Sequence, residues 1–176
     1  MTLDLPQSIL FCCDHNAVRS PMAEGLMKKF YGTDTYVQSA GVIADMDIDG
    51  FSIAVCGELG IELSRHKSRS FAEMHKLGDE LSSFDLIVAL SPASQIEAEK
   101  ITNFYDLKIE YWPIFDPTSM EEDREKKLIA YRGPYWNNLN SELKLKILQT
   151  ECTGGSNDSW ACSLAGGWLD IGRSGA

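Results

Sequence analysis

The sequence predicts an α/β domain built on a parallel β-sheet, and three observations predict it. Short apolar runs alternate with amphipathic stretches of helical length, the pattern of βαβ units with right-handed crossovers. The 176 residues, 44% of them hydrophobic, suffice for one full core and require no second. Residues 9–20, Ile9-Leu10-Phe11-Cys12-Cys13-Asp14-His15-Asn16-Ala17-Val18-Arg19-Ser20, read as a buried strand, a tight loop and the start of a helix.

Ser8 to Cys12 reads as the first strand. Ser20 is expected to cap the first helix, with Pro21 as its first residue, because proline lacks an N–H that would be unpaired there. That helix runs to about Tyr31, with Met22, Leu26 and Phe30 on its core face and Gly32 as its stop. Thr35 to Ala40 is the second strand, and a loop carrying Asp45, Asp47 and Asp49 leads to a helix from about Phe51 to Leu59. The run Ser64-Arg65-His66-Lys67-Ser68-Arg69 reads as a basic, solvated loop. Phe71 to Leu77 is a short helix, Asp85 to Leu90 an apolar strand, and Ser91-Pro92 a capped start for a helix to about Lys100. Ile109 to Trp112 is a fourth strand, followed by the loop Phe115-Asp116-Pro117-Thr118. The last helix is expected near Met120, with Glu122–Lys126 and Asp123–Lys127 as i, i+4 pairs and a break at Gly133-Pro134. The pattern resumes at Leu139, Leu143 and Ile147.

Residues 1–150 are thus expected to form the domain, and 151–176, rich in Gly, Ser and small residues, an irregular tail without assigned role. No internal repeat is found. The formal net charge of −10 argues against a nucleic-acid surface. No basic leader and no run of membrane-spanning length stands out, so a soluble cytoplasmic protein is expected, monomeric or weakly dimeric. The five cysteines, Cys12, Cys13, Cys56, Cys152 and Cys162, have neither a disulfide framework's nor a metal site's spacing. No metal or cofactor is expected.

In parallel α/β sheets the ligand crevice lies beyond the carboxyl ends of the strands. Cys13, Ser39, Ser91 and Asp116 follow strands one to four and therefore share one rim. A loop whose N–H groups converge ahead of a helix binds an oxyanion, helped by the helix dipole and the Arg19 fork, and favours a thiolate at Cys13. Such a thiolate can attack phosphorus to form a cysteinyl-phosphate, with Ser20 steadying the sulfur. Asp116 can protonate the leaving oxygen and then activate water. Each element also has a plainer meaning. A buried Cys is a common core residue, Asp-Pro commonly starts a turn, Ser91-Pro92 is a helix cap, and His15 reads as a loop side chain. The combination, in this order, is what points to chemistry.

The stretch from Cys13 through Arg19-Ser20-Pro21-Met22-Ala23-Glu24, with Ser39-Ala40-Gly41, Gly60-Ile61 leading to His66, Phe84-Asp85-Leu86-Ile87 and Asp116-Pro117, resembles the low-molecular-weight protein tyrosine phosphatase family over about residues 6–150. The resemblance implies a three-layer fold with a four-stranded parallel sheet in the order 2-1-3-4 and helices on both faces. It implies Cys13 as nucleophile, Arg19 as phosphate clamp and Asp116 as general acid. Asp14, His15, Asn16, Ala17, Val18, Arg19 and Ser20 would form the phosphate loop, with Asn16 holding its shape and Ser39 and His66 supporting Asn16. The substrate would be a phosphorylated protein or a small phosphomonoester. The sequence departs from the family where His15 replaces a usual glycine and where Val18 replaces a frequent second cysteine. Asp14 adds a negative charge, and Thr118 and Ser119 replace aromatic residues. Two alternatives are a non-catalytic oxyanion-binding protein on the same fold and a thioredoxin-coupled arsenate reductase. The latter needs further cysteines after the third strand, and residues 81–100 contain none.

Overall fold

The computed structural model describes residues 6–32, 34–103, 105–119, 123–135, 137–139 and 141. Its sheet has four parallel strands, β1 (Ser8–Cys13), β2 (Tyr36–Gly41), β3 (Leu86–Ala89) and β4 (Lys108–Tyr111), in the order β2-β1-β3-β4. This is the predicted order. β1 is central, so both of its faces are covered and its run of Ile, Leu, Phe and Cys is continuously apolar. Alternation along it sends Ile9, Phe11 and Cys13 to one core and Leu10 and Cys12 to the other.

The first core is closed by helices α1 (Arg19–Tyr31), α2 (Gly50–Glu58) and α5 (Arg124–Ala130), and holds Met22, Leu26, Val55, Trp112 and Tyr131. Phe11 meets Trp112 edge to face at 5.9 Å, a contact worth about 1 kcal/mol beyond its burial. The second is closed by α3 (Phe71–Lys76) and α4 (Pro92–Thr102), through Phe71, Met74 and Ala98. Ser70 caps α3 in a reciprocal box with Glu73, and Ser91 caps α4 with Ser94. Among the described residues no helix is long and apolar enough to cross a membrane.

Three local expectations are corrected. Ser20 does not cap α1, which begins at Arg19 after Val18 with no side-chain cap; the Ser20 hydroxyl points back at the end of β1 instead. Asp49, read only as part of an acidic loop, is the cap of α2, accepting from Phe51 N and Ser52 N at 3.0 Å. Asp123 caps α5 rather than pairing with Lys127, whose Nζ lies 6.0 Å from the centre of the Phe51 ring. The Gly133-Pro134 break takes the form of a widened helical turn, Tyr131–Tyr135. Leu139 is fully buried, whereas Met120, Glu122, Leu143, Ile147 and the tail lie outside the described residues.

Candidate active site

The loop between β1 and α1 turns through a single left-handed residue, Asn16, with φ of 54°. Asparagine is among the few side chains that occupy that region readily. It is fully buried, and all of its side-chain polar groups are paired. Its Nδ2 donates to Ser20 Oγ and Ser39 Oγ, both at 2.9 Å. Its Oδ1 accepts from Arg69 N at 3.0 Å and faces His66 Nε2 at 3.2 Å, so Nε2 carries the hydrogen. Ser68 Oγ donates to the Asn16 carbonyl at 2.9 Å. Ser39 in turn donates to Glu24 Oε2 at 2.5 Å, and Glu24 pairs with Lys28 one turn along α1.

The loop also lies flat on the end of β2. Val42 N donates to Cys13 O, Ile43 N to Asp14 O and Asp49 N to Ala17 O, each at 3.0 Å. A side chain at Gly41 would put its Cβ 2.8 Å from Asn16 N and 2.9 Å from His15 C, so only glycine lets the two backbones come this close. At the rim His15 Nδ1 meets Asp45 Oδ1 at 2.7 Å. The bulk that His15 brings in place of a glycine is therefore turned outward, onto the acidic loop.

Inside the cup Cys13 Sγ is 3.0 Å from Ser20 Oγ. Ser20 has one hydroxyl hydrogen and two acceptors in reach, this sulfur and the Ala40 carbonyl at 3.2 Å. Arg19 is buried at 6% exposure, its Nη2 on both Asp14 and Asp116, the latter at 3.0 Å. The Cys13 sulfur and these two carboxylates hold its guanidinium above the ordinary arginine value, against the opposing effect of burial. Asp116 sits in a loop after β4, its Oδ1 accepting from Thr118 N at 2.9 Å and from Thr118 Oγ1 at 2.6 Å. Nearby, Tyr131 is buried and hydrogen-bonded to Asp49; burial first, then Asp49 and Asp116, raise its phenol well above the ordinary range.

The structure brings Cys13, Arg19, Ser20 and Asp116 together, with Asp14–Val18 forming the loop and Ser39 and His66 on Asn16. Cys12 is on the far face of β1, where burial pushes its thiol far up; Cys56 is in the core, pushed up to about 12 by the same cause. The sequence reading missed Glu24, Ser68 and Arg69, and it placed Ser91 on the rim without its bond to Asp14. Glu24 and Lys28 are four apart on α1, and that spacing was the available signal. Arg69, read as part of a solvated basic face, instead binds Ser39 O through Nε at 3.2 Å and Asp79 through Nη1 at 3.2 Å. Arg65 and Lys67 are exposed, as is Ser64, and the two basic residues line a cleft of about 750 Å³ behind the loop.

A family model described as low molecular weight phosphotyrosine protein phosphatase matches residues 8–127. Among curated relatives, an arsenate reductase of Halalkalibacterium halodurans is 29% identical over 131 residues, 70% of this chain and 84% of that protein. An arsenate reductase of Bacillus subtilis is 29% identical over 119 residues, covering 68% and 80%. The arginine phosphatase from Geobacillus stearothermophilus shares the fold with a TM-score of 0.65 at 22% identity, covering 87% of this chain and all of that one. A low molecular weight protein tyrosine phosphatase from T. tengcongensis matches with a TM-score of 0.56 at 26% identity, covering 79% and 98%. With the match running from the first strand of the sheet into α5, the chain belongs to the low molecular weight phosphotyrosine protein phosphatase family.

Proposed function

We propose that this protein is a cysteine-dependent phosphatase that hydrolyses phosphomonoesters, phosphotyrosine among them, through a cysteinyl-phosphate. The observation that carries the reading is the meeting of Cys13, Ser20, Arg19 and Asp116 at the end of one strand, with 3.0 Å contacts from Ser20 to the sulfur and from Asp116 to Arg19. In the first step the Cys13 thiolate attacks phosphorus, the S–P bond forms, and the bond to the leaving oxygen breaks as Asp116 supplies its proton. Loop N–H groups and Arg19 hold the equatorial oxygens, where charge is carried through the transition state. The Ser20 hydroxyl turns from the Ala40 carbonyl to the sulfur and steadies it as an anion. In the second step the Asp116 carboxylate takes a proton from water, the water oxygen attacks phosphorus, and the S–P bond breaks to return the thiolate and release phosphate.

The test is hydrolysis of para-nitrophenyl phosphate by the wild type and by Cys13→Ser, with chelator, from mildly acidic to neutral pH. Turnover that falls by at least about three orders of magnitude in Cys13→Ser is the expected result. A folded wild type that binds phosphate but does not turn over would instead favour an oxyanion-binding protein. Arsenate reduction is a second reading, favoured by the names of the curated relatives. It needs resolving thiols, and residues 81–100 supply none, while Cys12 and Cys56 are buried. Thioredoxin-dependent arsenate turnover without phosphatase activity would establish it.

A further inference from the structure

The residue after the nucleophile, Asp14, is a carboxylate inside a loop meant for anions. Its Oδ1 accepts from Ser91 Oγ at 2.7 Å and its Oδ2 from Arg19 Nη2. Ser91 is itself fixed: it is 1% exposed, it caps α4, and its partner Ser94 donates to the Cys12 carbonyl at 3.1 Å. Asp14 is thereby anchored to the sheet. Asp116, the second carboxylate on Nη2, is on an exposed loop beside Phe115, which is half exposed. Nη2 carries two hydrogens, and the two carboxylates face both. A phosphoryl oxygen that takes up this arm of Arg19 would displace Asp116, the partner on the exposed loop, and leave the anchored Asp14 in place.

We propose that Asp14 is a positioning residue that sets the charge state of the phosphoryl group the cup accepts: held on Arg19 by Ser91 while substrate is bound, it selects the monoanion over the dianion. The inference rests on the phosphoryl-binding reading above and deepens it. The charged groups around the bound phosphoryl are the Cys13 sulfur, Arg19 and Asp14 from the loop, and Asp116 from the segment after β4. His15 with Asp45 stands at the rim, and Tyr131 with Asp49 near Asp116. With Asp116 displaced, Arg19 still faces the Cys13 sulfur and Asp14, so the second negative charge of a phosphoryl dianion meets a guanidinium already shared. A phosphomonoester loses its second proton near pH 6, so affinity falls as pH rises through that region.

The experiment is calorimetric binding of sulfate, a dianion throughout, and of phenyl phosphate between about pH 5 and pH 7.5. It uses the full chain in a Cys13→Ser background, which removes turnover and the thiol. Adding Asp14→Asn is expected to tighten sulfate binding about tenfold and to flatten the fall of phenyl phosphate affinity with pH. Asp14→Glu, which keeps the charge, is expected to retain both properties of the parent. Asp14→Ser is a second charge-free variant should the amide disturb folding, which thermal melting reports. Equal sulfate affinity with and without the Asp14 charge would overturn the proposal. Weaker binding of both anions by Asp14→Asn would also overturn it, since Asp14 would then orient Arg19 without setting charge. Hydrolysis by the unsubstituted chain is read separately, so an inactive chain with the expected anion pattern fails the enzymatic reading alone.

Discussion

The two loops that meet over Cys13 are held in opposite ways. In the phosphate loop Asn16 and Ser20 are fully buried, and Asn16 alone is tied to Ser20, Ser39, His66, Ser68 and Arg69, from three separate parts of the chain. The loop carrying Asp116 is held largely by its own turn, with Asp116 Oδ1 on Thr118 and Ser119 Oγ on the Asp116 carbonyl at 2.9 Å, and the Asp116 side chain is 33% exposed. The first is prebuilt by tertiary structure, so its geometry exists before substrate arrives. The second is a local turn whose only ion pair to the cup is the contact with Arg19 among the described residues. In the proposed mechanism, anion binding falls to the buried loop and proton transfer to the exposed one.

The largest effect should follow from breaking the rigid side. Asn16→Ala removes the side-chain bonds to Ser20, Ser39, His66 and Arg69 and leaves buried partners unsatisfied, so stability should fall by about 2–4 kcal/mol, with phosphate affinity and turnover lost together. Chemical denaturation and phosphate titration check this, and an Asn16→Ala protein of unchanged stability would contradict the contrast. Asp116→Asn should act the other way, changing stability by less than about 0.5 kcal/mol. It should slow substrates with poor leaving groups by about 10²–10⁴-fold and those with good ones far less. Equal slowing of aryl and alkyl phosphates would remove Asp116 as the acid.

The smallest effect concerns His66, whose imidazole is held below its ordinary value by burial first, and further by Arg69 and Lys28, against the pull of Glu24. Folded protein thus binds the proton more weakly than unfolded chain does. The contribution is full above the unfolded value of about 6.5 and is lost as pH falls through the lower folded value. Melting temperature should therefore decline on acidification below about pH 6.5, and His66→Gln should flatten that decline while Asp116→Asn leaves it unchanged.

What the sequence made legible follows the same division. The strand-helix alternation and the cup residues are encoded in contiguous stretches, since β1, the loop and α1 are consecutive and the apolar runs of β1 and β3 are unbroken, whereas the strand order came from the family resemblance. Asp116 was legible because Asp-Pro marks a turn after a fourth strand. The misreadings fall where remote residues converge. Ser20 has the chemistry of a helix cap, and only the approach of Cys13, Asn16 and Ala40 draws its hydroxyl away from the helix end. Arg69 and Ser68 lie in a basic run that looks solvated, yet a parallel bridge between Gly41 and Ser70 draws that run against the loop. Asp14 was read as an added negative charge beside the anion site; its pairing with Ser91, 77 residues away, has no local signature.

The backbone bonds that stitch Cys13, Asp14 and Ala17 to the segment after β2 have a further consequence, for hydrogen exchange. They tie the cup to the central strand, so the amides of Val42, Ile43 and Asp49 are expected to exchange more slowly than amides bonded only within a local turn. The Thr118 amide, bonded within its own turn, exchanges through local opening. Solvent protons thus reach the two halves of one active site on different timescales, and a bound oxyanion slows the Thr118 amide only if the Asp116 loop closes over it.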